Sequence, residues 1–204
     1  AGMDGIEALR RLRQEHGALP VVAIIFRLIP KETIRCLVWL VFRLFYKVRV
    51  FGGEHLPVSG GGLLVANHVS WLDILVLHAV RHCRFVSKSG VRHWPVVGAL
   101  ATGAGTLYIE RESRRDAMRV VHRMAQRLEA GDVIAVFPEG TTGDGVTLLP
   151  FHANLLQAAI SADAPIQPVA LQFIDAQTDV ISLAPCYRDD DTLISSLWRT
   201  LCAP

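Results

Sequence analysis

The sequence predicts a single α/β domain over residues 51–204, with a largely parallel or mixed sheet flanked by helices. The first observation behind this prediction is that short aliphatic runs alternate with segments of helical periodicity. Such alternation favours a parallel sheet, because parallel strands need crossover connections that are usually helices. The second observation is length, since 204 residues are enough for one domain with a sizeable core.

Each predicted element follows from a local pattern in the chain. Strands are expected where apolar runs follow turn-rich stretches, at residues 63–66, 85–87, 106–109, 133–137 and 166–173. Helices are expected where apolar residues recur every three or four positions, at residues 72–82, 92–102, 115–129, 153–162 and 192–202. Gly131 supplies an end signal for the third helix.

Residues 1–50 are predicted to be a separate N-terminal helical segment. Residues 1–17 have an amphipathic pattern, and residues 31–50 are apolar with interspersed basic side chains. The longest uncharged run of residues 31–50, residues 36–42, is too short to span a bilayer. The segment is therefore predicted to lie at a membrane interface, and the alternative is an ordinary buried helix.

Composition narrows the class of protein. The hydrophobic fraction of 51% and the mean hydropathy of +0.33 are high for a soluble domain and indicate membrane association. A net charge of only +2 gives no reason to expect nucleic acid as a partner. The four cysteines form neither a Cys-x-x-Cys pair nor a dense framework, which predicts a reduced, cytoplasmic setting without disulfides or zinc.

The junction between the first predicted strand and the first predicted helix carries His68 and Asp73. On one continuous helix these residues would be separated by about 500° and would point to different faces. Ser70 followed by Asp73 has the form of a capping box, so His68 is expected in the loop before the helix. A bend there would let Asp73 orient the His68 imidazole and leave its other nitrogen as a base.

A second unusual run, Phe137-Pro138-Glu139-Gly140-Thr141-Thr142, follows the fourth predicted strand. Proline fixes one backbone torsion there, and glycine permits close approach of the backbone to a ligand. In α/β folds, sites gather beyond the carboxyl ends of strands. Three strand ends carry suggestive groups, at residues 67–68, 110–111 and 138–140, and we expect them to converge.

These two runs resemble the His-x4-Asp and Phe-Pro-Glu-Gly signatures of glycerolipid acyltransferases of the lysophosphatidic acid acyltransferase type. The resemblance covers about residues 48–185 and includes two further motifs, at residues 105–111 and 164–170. It implies that His68 is the general base and that Asp73 orients it. It also implies acceptor-binding roles, with the phosphate held by Arg111 and less strongly by Lys88, and the glycerol portion by Glu139 in its turn with Gly140 and Thr141.

The same resemblance implies an activity. A fatty acyl group would move from acyl-CoA or acyl-carrier protein to the free hydroxyl of lysophosphatidic acid, with no cofactor and no metal, at the cytoplasmic face of the inner membrane. Backbone donors of residues 67–70 are expected to stabilise the oxyanion. Many relatives carry Arg where this chain has Thr142, which removes one expected phosphate contact.

Several alternatives stay open at the level of sequence. The acceptor can be another lyso-lipid, such as a lyso-ornithine lipid or lysophosphatidylethanolamine, or the chain can be a non-catalytic lipid-binding module. Arg111 can be a solvated charge that flanks a helix. His78 and His82 have the i, i+4 spacing of metal ligands on a helix. Ser70 lies near His68, as the nucleophile of a serine hydrolase would, although the sequence lacks a Gly-x-Ser-x-Gly motif.

Overall fold

Five strands form one parallel sheet in the computed structural model, which describes residues 48–56, 60–94, 97–110, 114–187 and 191–203. In chain order the strands are β1 (Gly62–Ala66), β2 (Arg84–Lys88), β3 (Leu107–Ile109), β4 (Val133–Val136) and β5 (Ile166–Val169). They lie side by side in the order β3-β2-β4-β1-β5. Every pairing is parallel, so the predicted fold class is confirmed.

Five α-helices connect or flank these strands in the described residues. They are α1 (Leu72–Val80), α2 (Val97–Gly103), α3 (Arg114–Glu129), α4 (Gln157–Ser161) and α5 (Leu193–Leu201). Within these same ranges, no helix is both long and apolar enough to cross a bilayer. The predicted helical segment at residues 1–50 lies outside the described residues except for its last three positions.

The core has two layers, one on each face of the sheet. On one face, Leu63 and Ile134 pack with α3 and α4 residues such as Met124 and Ala158. On the other face, Leu64 and Ala135 pack with α1 and its surroundings, including Leu77, Phe85 and Leu171. Successive side chains of a strand point to opposite faces. A strand buried on both faces therefore reads as the continuous apolar run seen in β1 and β4.

Three predicted elements differ from those observed by a break or by more than two residues. The helix predicted at 153–162 is a 3₁₀ turn at Ala153–Leu155 followed by α4. The segment predicted as one helix at 92–102 is a 3₁₀ turn at Ser89–His93 followed by α2. Trp94 is extended, with ψ of 132°, because the residue before Pro95 is disfavoured in the helical region. The last strand ends at Val169, four residues earlier than predicted.

Candidate active site

His68 and Asp73 meet at the carboxyl end of β1. The Nδ1 atom of His68 lies 2.8 Å from Oδ2 of Asp73. Because Oδ2 of an ionised carboxylate only accepts hydrogen bonds, this contact places the imidazole proton on Nδ1. Nε2 is then the nitrogen with a free lone pair, and it is the atom that can take a proton from a substrate.

The backbone bends so that Asp73 can reach back over the start of α1. Its Oδ2 also accepts hydrogen bonds from the N–H groups of Val69, at 2.6 Å, and of Ser70, at 2.8 Å. Ser70 Oγ in turn accepts the N–H of Leu72 at 3.3 Å. Trp71 already has helical torsions, so Ser70 acts as the helix cap predicted from the sequence.

Asp73 is fully buried, whereas the His68 side chain is 19% exposed. The Oδ1 atom of Asp73 is also buried, and it has no hydrogen-bond partner among the described residues. The His68 ring stacks on Phe137, with ring centroids 4.0 Å apart and planes 11° from parallel. The carboxylate and the aromatic ring therefore fix the imidazole in one orientation while one edge stays accessible.

Glu139 connects the turn after β4 to the turn after β1. Its Oε1 accepts the backbone N–H of His68 at 2.8 Å, and its Oε2 accepts the N–H of Leu149 at 2.9 Å. The side chain is 5% exposed. Glu139 therefore holds the turn at residues 67–70 in place, and the expected contact of Glu139 with the acceptor remains a prediction.

Further polar contacts hold the same turn from the segment that follows β5, from the loop after β4 and from the C-terminal part of the chain. The Asn67 side chain accepts the Leu171 N–H at 2.7 Å and donates to the Leu171 carbonyl at 3.0 Å. The Tyr187 N–H donates to the carbonyl of Val69 at 3.1 Å, and the Gly143 N–H donates to the carbonyl of His68 at 2.7 Å. The turn is thus fixed from three sides before any substrate binds.

A cavity of about 370 Å³ lies beside this turn. It is lined by Thr142, Gly143, Asp144, Thr147, Leu149, Leu183, Cys186 and Tyr187. Gly143 and Tyr187 bond directly to the backbone of residues 68 and 69, and Leu149 bonds to Glu139. The cavity therefore adjoins the turn that carries His68, although His68 itself is not among its lining residues.

The remaining predicted site residues differ in their exposure, in their distance from His68 and in whether the structure describes them. Gly140 has a φ of 75°, a left-handed conformation that favours glycine. Thr141 and Lys88 are exposed. Lys88 ends β2, which is separated from β1 by β4, so Lys88 and His68 are about two strand spacings, or about 10 Å, apart along the sheet edge. Arg111 lies outside the described residues.

The predicted convergence of three strand ends holds for two of them. β1 and β4 are neighbours, which brings His68 and Glu139 together. β3, however, lies at the outer edge of the sheet, three positions from β1. Glu110 is exposed there, so it does not join the site.

Three of the backbone N–H groups expected as oxyanion donors already donate to carboxylates. The N–H groups of Val69 and Ser70 donate to Asp73, and that of His68 donates to Glu139. The Asn67 amide is occupied by the Leu171 backbone. The N–H groups of residues 68–70 are thus used to build the turn, and the expectation that donors near residues 67–70 stabilise the oxyanion stays a prediction.

Ser70 and His78 both have structural roles in this arrangement. Ser70 is fully buried, and it caps α1, so it does not serve as an exposed nucleophile. His78 packs edge-on against Phe85, with ring centroids 5.0 Å apart, and burial followed by the nearby His82 lowers its pKa from 6.5 to about 4. Nowhere in the described ranges do three His, Cys, Asp or Glu side chains gather around a possible metal position.

The described residues combine a parallel α/β sheet with a His–Asp pair at its carboxyl edge, and this pair is a candidate general base. A family model described as Acyltransferase matches residues 47–172, and the chain belongs to that family. All five strands and both of the signature runs lie inside this match.

Named relatives support the family assignment. The chain is 41% identical over 148 residues to a 1-acyl-sn-glycerol-3-phosphate acyltransferase of Neisseria gonorrhoeae, covering 72% of this chain and 57% of that protein. It is 45% identical over 140 residues to a lyso-ornithine lipid O-acyltransferase of Pseudomonas aeruginosa, covering 68% of this chain and 53% of that one. The chain thus spans little more than half the length of these relatives.

A solved structure shares the fold. The crystal structure of the 1-acyl-sn-glycerophosphate (LPA) acyltransferase from Thermotoga maritima superposes with a TM-score of 0.54 at 22% identity, covering 79% of this chain and 68% of that chain. At this identity, the likeness supports the arrangement of the sheet and helices alone.

Proposed function

We propose that this chain transfers a fatty acyl group from a thioester to the free hydroxyl of a lyso-lipid, with lysophosphatidic acid as the first acceptor to test. The observation that carries the proposal is the His68–Asp73 pair, in which Nδ1 is held at 2.8 Å from the carboxylate. That pair supplies a base, and the neighbouring cavity supplies room for a substrate.

The proposed chemistry is a direct transfer without an acyl-enzyme. Nε2 of His68 takes the proton of the acceptor hydroxyl as its oxygen attacks the thioester carbon. The carbon–sulfur bond then breaks, and the thiolate leaves and takes up the proton held by the imidazolium. A thiol with a pKa near 8.5 is a good leaving group and needs little help from an acid. No cofactor beyond the acyl-CoA or acyl-carrier protein thioester is used in this scheme.

Two acceptors follow from the names of the relatives. Lysophosphatidic acid is supported by the 41% identical relative and by the motif resemblance, which implies that Arg111 and Lys88 bind the phosphate of the acceptor. A lyso-ornithine lipid is supported by the 45% identical relative and by Thr142. The Thr142 hydroxyl donates to the Tyr187 carbonyl at 2.7 Å, where many relatives carry a potential phosphate-binding Arg. Both acceptors reside in a bilayer, so we place the enzyme at the cytoplasmic face of the membrane as a peripheral or monotopic protein.

Product analysis with a labelled acyl donor tests the proposal. Purified protein is given acyl-CoA or acyl-carrier protein with lysophosphatidic acid, lyso-ornithine lipid or no acceptor, in mixed micelles. We expect a labelled two-chain lipid with at least one acceptor. Free labelled fatty acid formed equally with and without acceptor would instead identify a thioesterase, and no turnover with any pair would support a lipid-binding module.

A further inference from the structure

The C-terminal helix α5 is packed with its polar side inward. Ser196 is fully buried, and Thr200 is 4% exposed. The opposite side carries Ile194, Leu197, Trp198 and Leu201, which are 79%, 41%, 71% and 53% exposed. These four residues, here called the α5 stripe, follow the i, i+3, i+4, i+7 spacing of one helix face. A helix of a soluble domain normally turns such a face toward the core.

Polar contacts fix this orientation. Ser196 Oγ accepts the indole N–H of Trp71 at 3.1 Å. The guanidinium of Arg199 donates to both carboxylate oxygens of Asp191 and to the Ala184 and Cys186 carbonyls. The one charged residue of α5 is therefore turned toward the protein, and the α5 stripe itself contains no charge.

The α5 stripe belongs to the same part of the molecule as the candidate active site. Trp71, the residue that anchors α5, lies within the turn between His68 and Asp73. More exposed apolar side chains belong to the cavity segments, because Leu183 is 51% exposed and lines the cavity. Val146 and Leu148 are 66% and 65% exposed, and both are sequence neighbours of cavity-lining residues.

We propose that the α5 stripe, together with Val146, Leu148 and Leu183, is a membrane-contact surface that enters the headgroup and outer acyl region of a bilayer. The inference rests on the proposed function, since a lyso-lipid acceptor must pass from a bilayer to Nε2 of His68. An uncharged face with a tryptophan among aliphatic residues has the composition that partitions to such an interface. This surface consists of residues other than those of the N-terminal segment for which the sequence predicts membrane contact.

A double variant tests the proposal. Ile194→Asp with Trp198→Asp changes two strongly exposed positions, and Met118→Asp with Ile160→Asp is the matched control at 69% and 66% exposure on α3 and α4. Binding is measured by co-sedimentation with vesicles of phosphatidylglycerol and phosphatidylethanolamine. Burial of each apolar side chain in the bilayer favours partitioning, so we expect the α5 variant to lower the vesicle-bound to free ratio by about tenfold or more. We expect the control variant to leave this ratio near that of wild type.

Activity gives the second measurement. The α5 variant should lose turnover of a long-chain acceptor presented in vesicles by a similar factor, but keep turnover of a short-chain acceptor that is soluble as a monomer. Unchanged vesicle partitioning would overturn the proposal. A lower thermal midpoint in lipid-free protein would instead show that another part of this chain covers the stripe, and a loss of oligomer would show that a second copy does. Failure of the proposed function is recognised separately, as absent turnover of the soluble acceptor by the wild type.

Discussion

Asp73 performs two tasks with one oxygen atom. Its Oδ2 accepts hydrogen bonds from Nδ1–H of His68 and from the N–H groups of Val69 and Ser70. The oxygen atom that bends the chain through two N–H groups is therefore the same one that positions the imidazole of His68. A carboxylate suits this position because a single ionised oxygen accepts several donors, and charge-assisted hydrogen bonds are stronger than neutral ones.

Replacement of Asp73 by Asn should separate shape from charge. The amide keeps the size of the side chain, but it loses the charge that stabilises a protonated His68. We expect turnover to fall by about 10³-fold or more, as for carboxylates that orient a catalytic histidine elsewhere. Thiol release measures the rate, and near-ultraviolet circular dichroism checks that the variant is folded. A folded variant with turnover within a few-fold of wild type would contradict the assigned role.

Glu139 gives a second prediction at the scale of the residue, because its two oxygens bond to the backbones of His68 and Leu149. Glu139→Gln retains one acceptor but turns an amide N–H₂ toward the other N–H donor. We expect a loss of stability of about 1–3 kcal/mol and a lower kcat, since His68 shifts.

The two roles of Glu139 differ in their kinetic signature. If Glu139 only holds the turn, the KM for the acceptor in Glu139→Gln stays near that of wild type. A large increase in the acceptor KM with an unchanged kcat would instead support the contact with the acceptor that the sequence motif implies. Chemical denaturation of both proteins provides the stability difference.

At the scale of the element, α1 carries an acid-sensitive contact at its C-terminal end. Burial, with a smaller contribution from His82, lowers the pKa of His78 from 6.5 to about 4. The folded protein therefore holds His78 neutral at pH values where the unfolded chain would be protonated. Stability contributed by neutral His78 is fully present above pH 6.5 and is lost as the pH falls toward 4.

His78→Phe should remove this part of the acid sensitivity. The full pKa difference corresponds to about 3 kcal/mol, and phenylalanine preserves a ring against Phe85. Urea unfolding at pH 7 and at pH 4 measures the change in each protein. We expect wild type to lose more free energy of unfolding than His78→Phe between these two pH values, whereas exposed His93→Gln should behave as wild type. Equal losses in all three proteins would contradict the assignment.

The start of β1 depends on a close approach between Gly61 and α3. A Cβ atom at Gly61 would lie 1.9 Å from the carbonyl oxygen of Leu128, which is backbone and cannot move aside as a side chain can. We expect Gly61→Ala to destabilise the protein by about 3 kcal/mol, whereas Gly90→Ala, where no atom lies within 4 Å, should have little effect. Thermal unfolding compares the two, and equal midpoints would contradict the packing described.

At the scale of the whole molecule, the strand order places the site. β1 and β4 are neighbours although β2 and β3 lie between them in the chain, and their carboxyl ends bring His68 beside Glu139. Turns fixed at the edge of a buried sheet hold their side chains near one geometry, as a binding or catalytic site requires.

Local patterns predicted most of the elements and the His68–Asp73 pair, because helix periodicity, apolar runs and a capping box depend only on residues that are close together in the chain. The break before α2 was missed although Pro95 was visible. Nothing local indicates that β4 pairs with β1, that Leu149 bonds to Glu139, or that Tyr187 bonds to Val69, since these contacts join positions far apart in the chain. For the same reason, the sequence did not reveal that N–H groups of the turn donate to the carboxylates of Glu139 and Asp73.

We propose that His68 is the base of a direct acyl transfer. Acceptor-dependent thiol release from acyl-CoA or acyl-carrier protein, measured for wild type and for His68→Gln, tests it most directly. We expect release in wild type that requires the lyso-lipid, and a loss of about 10³-fold or more in a folded His68→Gln protein, because the glutamine amide is not a base. Wild-type rates of acceptor-dependent release in the variant would contradict it.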